Sequence, residues 1–225
     1  TYDQSPASFA SSFLYVNACD FSHGGQSSQA HPMAVVSAAV DPNTGVIYVF
    51  DAFTMKGMLP EQHVKRIKQS QVWDAPMLWP HDGSQVATAG TGETISRMYR
   101  RLGLPMRPEH TTFKDTGNYS LEAGVAEMQS RFANGTLLVA RHQHEWFVEY
   151  MNYHYEDGKI VKIDDDLMSA TRQIIMGVRH AKALDPDRNA NGPVRGWDGS
   201  WSRKSDRGKS YFPDSSAGDY SNFGS

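Results

Sequence analysis

Three places in the chain put carboxylates where they could do chemistry. Asp20 closes the apolar run Phe13-Leu14-Tyr15-Val16-Asn17-Ala18-Cys19. Asp82 follows Pro76-Met77-Leu78-Trp79-Pro80-His81 and precedes Gly83. Asp164, Asp165 and Asp166 head a run in which Leu167, Ala170, Ile174, Ile175 and Val178 share one helical face. Acids complement the macrodipole at a helix N-terminus, and an Asp N-cap with acidic neighbours is the plain structural use of such a triplet. Three adjacent like charges repel, however, and a cap needs only one of them; a divalent cation would remove that repulsion. Converging carboxylates without cysteine make a hard-oxygen set, suited to Mg²⁺ or Mn²⁺ rather than zinc. Two such ions about 4 Å apart can clamp the attacking and leaving oxygens of a phosphodiester displacement.

Each acid also has a plainer use. Asp20 can be a turn residue, and Asp82-Gly83 is a common turn pair. His23 and His81 neighbour the acids and could help position a water or a metal, or be solvated loop histidines. Asp51 also ends a strand, expected at the opposite sheet end, and reads as structural. His142 and His144 read as surface residues. Gly90-Thr91-Gly92-Glu93-Thr94 lacks the Gly-Lys-Ser/Thr ending of a P-loop, so no ATP site of that kind is expected.

The elements that must position these acids can be read in order. Phe13–Asp20, Ala34–Val40 and Val46–Phe53 are apolar strands joined by a loop and by the turn Asp41-Pro42-Asn43-Thr44-Gly45, an antiparallel meander. Pro60 to Ser70 reads as a helix, Pro76–Pro80 as a short strand, and Glu93 to Leu102 as a helix closed by Gly103. A helix from Ser120 to about Phe132, a strand over Thr136–Ala140 and a helix over Glu145–Tyr153 follow. Asp157-Gly158 marks a hairpin, and the acidic helix is expected to run to about Ala183. Three antiparallel strands followed by strand–helix alternation give a mixed α/β sheet, of about five strands, with helices on both faces and an added hairpin. If the first and fourth strands are neighbours, Asp20 and Asp82 come side by side at one sheet end. From residue 184 on, Gly, Asn, Asp, Ser and Arg dominate and periodicity ends, so 184–225 reads as an extended or disordered tail. Its Trp197, Trp201, Tyr211, Phe212, Tyr220 and Phe223 could anchor it to a partner.

At 225 residues the chain is one large domain, or one domain and a tail. A net charge of −3 gives no global basic signature, so nucleic-acid binding needs a local patch. The single cysteine, Cys19, excludes an internal disulfide framework and a Cys-rich zinc site. No apolar run approaches a membrane span. The chain opens on Thr1 rather than Met, so a longer or processed parent is expected.

The strand order and the three acidic stations resemble the ribonuclease H-like nuclease superfamily. More narrowly, the chain is similar to the C-terminal nuclease domain of the large terminase subunit of headful-packaging tailed bacteriophages. The resemblance rests on Asn17-Ala18-Cys19-Asp20, Trp79-Pro80-His81-Asp82-Gly83 and Asp164-Asp165-Asp166-Leu167-Met168-Ser169-Ala170, and covers about residues 13–183. Residues 1–12 then read as the lead-in from an N-terminal ATPase domain. The resemblance implies a metal-dependent endonuclease that cuts double-stranded viral DNA concatemers during packaging, using Mg²⁺ or Mn²⁺, two ions by the family pattern. The family's catalytic, metal-binding acids carry over to Asp20, Asp82 and Asp166, with Asp165 next and Asp164 as a possible accessory. Asp20 would bridge the two ions, with Asp82 on one and Asp166 on the other. Many family members carry another Asp where this chain has Ser169. Lys65, Arg66, Lys68, Arg97, Arg100, Arg101 and Arg172 are candidates for phosphate contacts, a solvated helix face being the plain alternative. Implied partners are double-stranded DNA, the portal protein, the small terminase subunit and the ATPase domain, with no membrane, in the host cell cytoplasm at the procapsid. A junction resolvase or recombinase of the same superfamily is the rival enzyme. A non-catalytic DNA- or protein-binding module, its acids serving only as caps, is the rival of another class.

Overall fold

The computed structural model describes residues 1–2, 12–21, 31–87, 92–157, 159–161, 164–184, 193–195 and 201–203. Strand β1 (Leu14–Asp20) pairs antiparallel with β2 (Met33–Val40), and β2 antiparallel with β3 (Ile47–Met55). Helix α1 (Pro60–Ile67) leads to β4 (Met77–Leu78), which returns parallel to β1. After a 3-10 turn over His81–Ser84 come α2 (Ile95–Arg101) and α3 (Leu121–Ala133), then β5 (Leu137–Val139), parallel to β3. The sheet order is therefore β4-β1-β2-β3-β5. Helix α4 (His144–Asn152), the hairpin β6 (Tyr155–Glu156) and β7 (Lys159–Ile160), and α5 (Asp166–Gly177) follow. The first and fourth strands are neighbours, as the convergence of Asp20 and Asp82 requires.

Strand alternation divides the core into two layers. Val16, Ala18, Ala34, Val36 and Ala38 pack on one face with Met128 of α3, Trp146 of α4 and Leu167, Met168 and Ile174 of α5. Cys19, Met33, Val35 and Phe53 pack on the other with Val64 and Ile67 of α1 and Tyr99 of α2. Burial on both faces explains why all eight residues of β2 are buried and why its sequence shows no polar alternation. No helix of the described residues is long and apolar enough to cross a membrane.

Three readings of the sequence need correction. Asp51 does not end a strand: it lies inside β3 opposite Ser37, because Ala52 to Met55 continue the pairing with β2 past a bulge at Phe50. Gln143 fills that bulge, its Oε1 accepting from the Ala52 N–H at 3.1 Å and its Nε2 donating to the Phe50 carbonyl at 2.7 Å. The acidic helix stops at Gly177 rather than near Ala183. Gly177 has no room for a side chain beside Leu78 and Thr111, and after a 3-10 turn Lys182 pairs with Tyr15 at the edge of β1. Helix α1 likewise ends at Ile67, three residues short of Ser70. Most of 184–225 lies outside the described residues; within it, β8 (Pro193–Arg195) pairs antiparallel with β9 (Trp201–Arg203).

Candidate metal centre

The β1–β4 register sets two carboxylates at one sheet end. Ala18 stands opposite Leu78, so Asp20 closes β1 where the chain leaves β4 for the turn that carries Asp82. Gly83 is more than a turn residue: a Cβ there would collide with the rings of Phe21 and Trp79. The Asp82 turn therefore rests directly on the aromatic core below it. Trp79 is fixed in turn, its Nε1 donating to the Arg107 carbonyl at 2.8 Å while its own carbonyl accepts from Thr111 Oγ1 at 3.1 Å.

Helix α5 supplies the facing wall. Its Leu167, Met168, Ala170 and Ile174 are fully buried toward the sheet. The adjoining face carries Asp165, Asp166, Ser169, Arg172 and Gln173, which with Asp20 and Asp82 line a cavity of about 470 Å³. His81, Phe21, His31, Pro80, Thr111 and Tyr119 complete the lining. At the rim His81 stacks on Tyr119 with ring centroids 5.2 Å apart, and His110 meets both rings edge-on.

The carboxylates feel one another. Asp20 is pushed up to about 7, first by burial and then by the like charges of Asp82, Asp166 and Asp165; the Arg172 guanidinium pulls the other way. The Phe21 N–H donates to Asp20 Oδ1 at 3.1 Å. Buried Cys19 sits beneath the site with its thiol held well above its ordinary value by burial and by Asp20 and Asp82, so it is no ready nucleophile.

Asp165 is the N-cap residue of α5, yet its side chain makes no capping hydrogen bond. The amides of Leu167 and Met168 donate instead to Glu149 Oε2 of α4, at 2.7 and 3.3 Å. Glu149 is itself pushed up to about 8, mainly by burial and with Asp166 and Asp165 adding to it, although the two amides act in the opposite sense.

The remaining sequence candidates divide. Asp164 is exposed, takes a left-handed conformation (φ 48°) and does not line the cavity. His23 lies outside the described residues. Of the basic candidates only Arg172 appears among the described lining residues. Lys65, Arg66 and Lys68 stand on or at the end of α1, and Arg97, Arg100 and Arg101 on α2, in the layer that covers the other sheet face. Several hold local contacts: Arg66 over the Phe53 ring at 4.4 Å, Lys68 over Trp73 at 5.3 Å, Arg100 donating to the Arg107 carbonyl at 2.6 Å, and Arg101 paired with Glu93 at 2.9 and 3.0 Å.

The sequence marks Ser169 only as the place where many family members carry an Asp, and gives no sign of Gln173, although helical spacing from Asp166 (i, i+3, i+7) puts both on the same face. Sequence reasoning also misses Glu149, His31, Thr111 and Tyr119, which reach the site from elements distant in sequence and leave no periodic signal. Among the described residues, no three His, Cys, Asp or Glu side chains are grouped so as to hold one ion between them. Acids spread around an open cavity suit a hard cation that uses one or two carboxylates and completes its shell with water and substrate oxygens. In that sense the donor set fits Mg²⁺ or Mn²⁺.

The sequence model of the terminase RNaseH-like domain matches residues 17–177. The large terminase subunit of Salmonella phage P22 is 33% identical over 173 residues, which cover 76% of this chain and 33% of that protein. The large terminase subunit of Enterobacteria phage LP7 is 34% identical over 161 residues, 71% of this chain and 32% of that protein. Among solved structures, the nuclease domain of the P22 large terminase matches with a TM-score of 0.67 at 31% identity, covering 80% of this chain and 88% of that one. The chain spans about a third of the length of the curated relatives it matches. With the five-stranded sheet and its flanking helices on the same footing, the chain belongs to the terminase RNaseH-like domain family.

Proposed function

We propose that this domain is the metal-dependent DNA endonuclease of a phage packaging motor, cutting double-stranded concatemers as capsids are filled. One observation carries the reading: Asp20, Asp82, Asp165 and Asp166, from three separate elements, line one open cavity in which burial and mutual repulsion raise the Asp20 carboxyl to about 7. A cluster kept under such repulsion is a poor structural device and a good cation site. Asp20, Asp82 and Asp166 would hold Mg²⁺ or Mn²⁺, one ion or two, with Asp165 as the alternative to Asp166. When bound, such ions neutralise a phosphodiester and bring the pKa of water toward neutrality.

The chain's own residues supply the rest. Arg172 lines the same cavity, its charge acts on Asp20, and its buried Nε has no hydrogen-bond partner among the described residues, so its guanidinium would be placed to meet a phosphate oxygen. His81 and Tyr119 form a flat rim against which a sugar or base can rest. The basic side chains of α1 and α2 would meet flanking duplex rather than the scissile phosphate. By the same reading, an ATPase domain, the portal and the small terminase subunit are its partners, in the host cytoplasm at the procapsid. Residues 1–12 lead in from that ATPase domain, and 184–225 form a tethering tail.

The test is plasmid cleavage with Mg²⁺, Mn²⁺, Ca²⁺ or EDTA, run beside Asp20→Asn and Asp166→Asn. Cleavage in Mg²⁺ or Mn²⁺, lost in EDTA and in both variants, is the expected result. No cleavage with any metal, and no metal-induced rise in melting temperature, would leave a binding module with ornamental acids.

A further inference from the structure

The amides at the start of α5 are satisfied from outside the helix. A helix opens with N–H groups that have no intrahelical partner, and an Asp at the N-cap ordinarily accepts from the second and third of its residues. In α5 those residues are Leu167 and Met168, and both donate to Glu149 Oε2. Asp165 occupies the cap position with no such bond. A carboxylate 8% exposed does the capping, on a helix whose sequence already offers a capping Asp. As a purely structural solution this is unfavourable, since a buried acid is placed beside the partly buried Asp165 and Asp166. Its consequence is that neither aspartate is needed as a cap, and both reach the cavity.

The element that carries Glu149 is anchored at two points in its first turn. At its start, Gln143 is bonded to the β3 bulge through the Ala52 N–H and the Phe50 carbonyl. One turn on, the fully buried Trp146 donates from Nε1 to Thr171 Oγ1 at 2.8 Å, and Thr171 donates to the Leu167 carbonyl at 2.7 Å. Trp146 and Glu149 are three residues apart and share one face of α4. That face thus grips the first turn of α5 by its amides and by a carbonyl. The geometry points to Glu149 as a positioning residue: it stands in for the N-cap of α5 and so holds the Asp165–Asp166 pair turned into the cavity, where it supplies the cation ligand from α5. This inference rests on the metal-site reading above.

The experiment compares Glu149→Gln, Glu149→Ala and Glu149→Asp in the 225-residue chain, with Mn²⁺ alone as the probe. Calorimetry reads Mn²⁺ affinity, and amide hydrogen exchange reads Leu167 and Met168 against Val36 in the central strand. Gln keeps an oxygen acceptor at the same reach, so affinity within about threefold of wild type is expected. Ala removes the acceptor and Asp withdraws it by one methylene. Both should speed exchange at Leu167 and Met168 and weaken Mn²⁺ binding at least tenfold, with Val36 protection unchanged. Wild-type Mn²⁺ affinity in Ala and Asp, despite exposed amides, would reduce Glu149 to a cap and overturn the role. Loss of Val36 protection together with affinity in both would make it a folding residue, which also overturns it. A wild-type chain that binds no Mn²⁺ overturns the metal reading itself, and the exchange data then still report whether Glu149 caps α5.

Discussion

Ala18 and Leu78 are partners in the parallel β1–β4 ladder, and their pairing fixes the spacing of the acids that follow each strand. Asn17, one residue back, ties the pair from behind: its Nδ2 donates to the Val72 carbonyl at 2.7 Å. Asp20 and Asp82 therefore face one cavity because backbone register carries them there, against their own electrostatic preference.

That preference has a measurable cost in the metal-free protein. The ordinary aspartate value is about 3.9, and folding raises Asp20 to about 7. Between those values the folded chain holds a proton that the unfolded chain has released, so stability falls as pH rises from about 4 to about 7. A shift of that size corresponds to about 4 kcal/mol at most, part of which a buried amide would offset. Asp20→Asn should melt above wild type at pH 8 in EDTA, and the advantage should vanish below pH 4. Thermal scans at the two pH values check this; a lower melting temperature for the variant at pH 8 would make Asp20 a structural residue.

The two lining aspartates of α5 are expected to differ. Asp166 is the first helical residue and Asp165 the cap position, and both line the cavity. At a Mn²⁺ concentration of about 100 times Kd, binding should stabilise wild type by about 2.7 kcal/mol. Asp166→Asn should abolish that rise in melting temperature together with cleavage, while Asp165→Asn keeps part of each. The reverse order in a metal titration would assign the ligand to Asp165.

The order of elements is legible in the sequence because short apolar strands, Asp157-Gly158 and the periodicity of α5 are local signals. The adjacency of β1 and β4 is not local, and follows only once the meander is taken to close the other side of β1. The lining acids are visible because each ends or opens an element. Asp51 misleads for that same reason: an acid in an apolar run looks like a strand end, whereas Ser37 opposite it makes a polar spot in mid-sheet. Glu149 is invisible because its partners are backbone amides 18 and 19 residues away, which no side-chain pattern encodes.

Gly83 gives a test of how firmly the Asp82 turn must be seated. A methyl group there would overlap the Phe21 and Trp79 rings, both nearly fully buried and unable to yield freely. Overpacking of this kind costs about 1–3 kcal/mol. Gly83→Ala should lower stability by about that amount and reduce cleavage further than the stability loss alone explains, because Asp82 moves with the turn. Denaturant unfolding beside cleavage rates under conditions where the variant is fully folded separates the two effects.

Arg172 can be moved without being mutated. Its side-chain stem lies against Gly124 of α3, where a Cβ would overlap Cγ and Cδ, and its Nε is buried without a hydrogen-bond partner among the described residues. Alanine at an interior helix position gains about 1 kcal/mol over glycine in propensity, so Gly124→Ala should leave stability nearly unchanged or higher. Cleavage should nevertheless fall several-fold, because the guanidinium is pushed from its place beside Asp20. Arg172→Ala should lower cleavage more and shrink the salt dependence of DNA binding, as the loss of one phosphate contact requires. If Gly124 acts only through Arg172, the double variant will cleave no more slowly than Arg172→Ala alone, a coupling that a double-mutant cycle measures directly. Additive losses would mean that α3 shapes the cavity by some other route and that the Gly124–Arg172 contact is incidental.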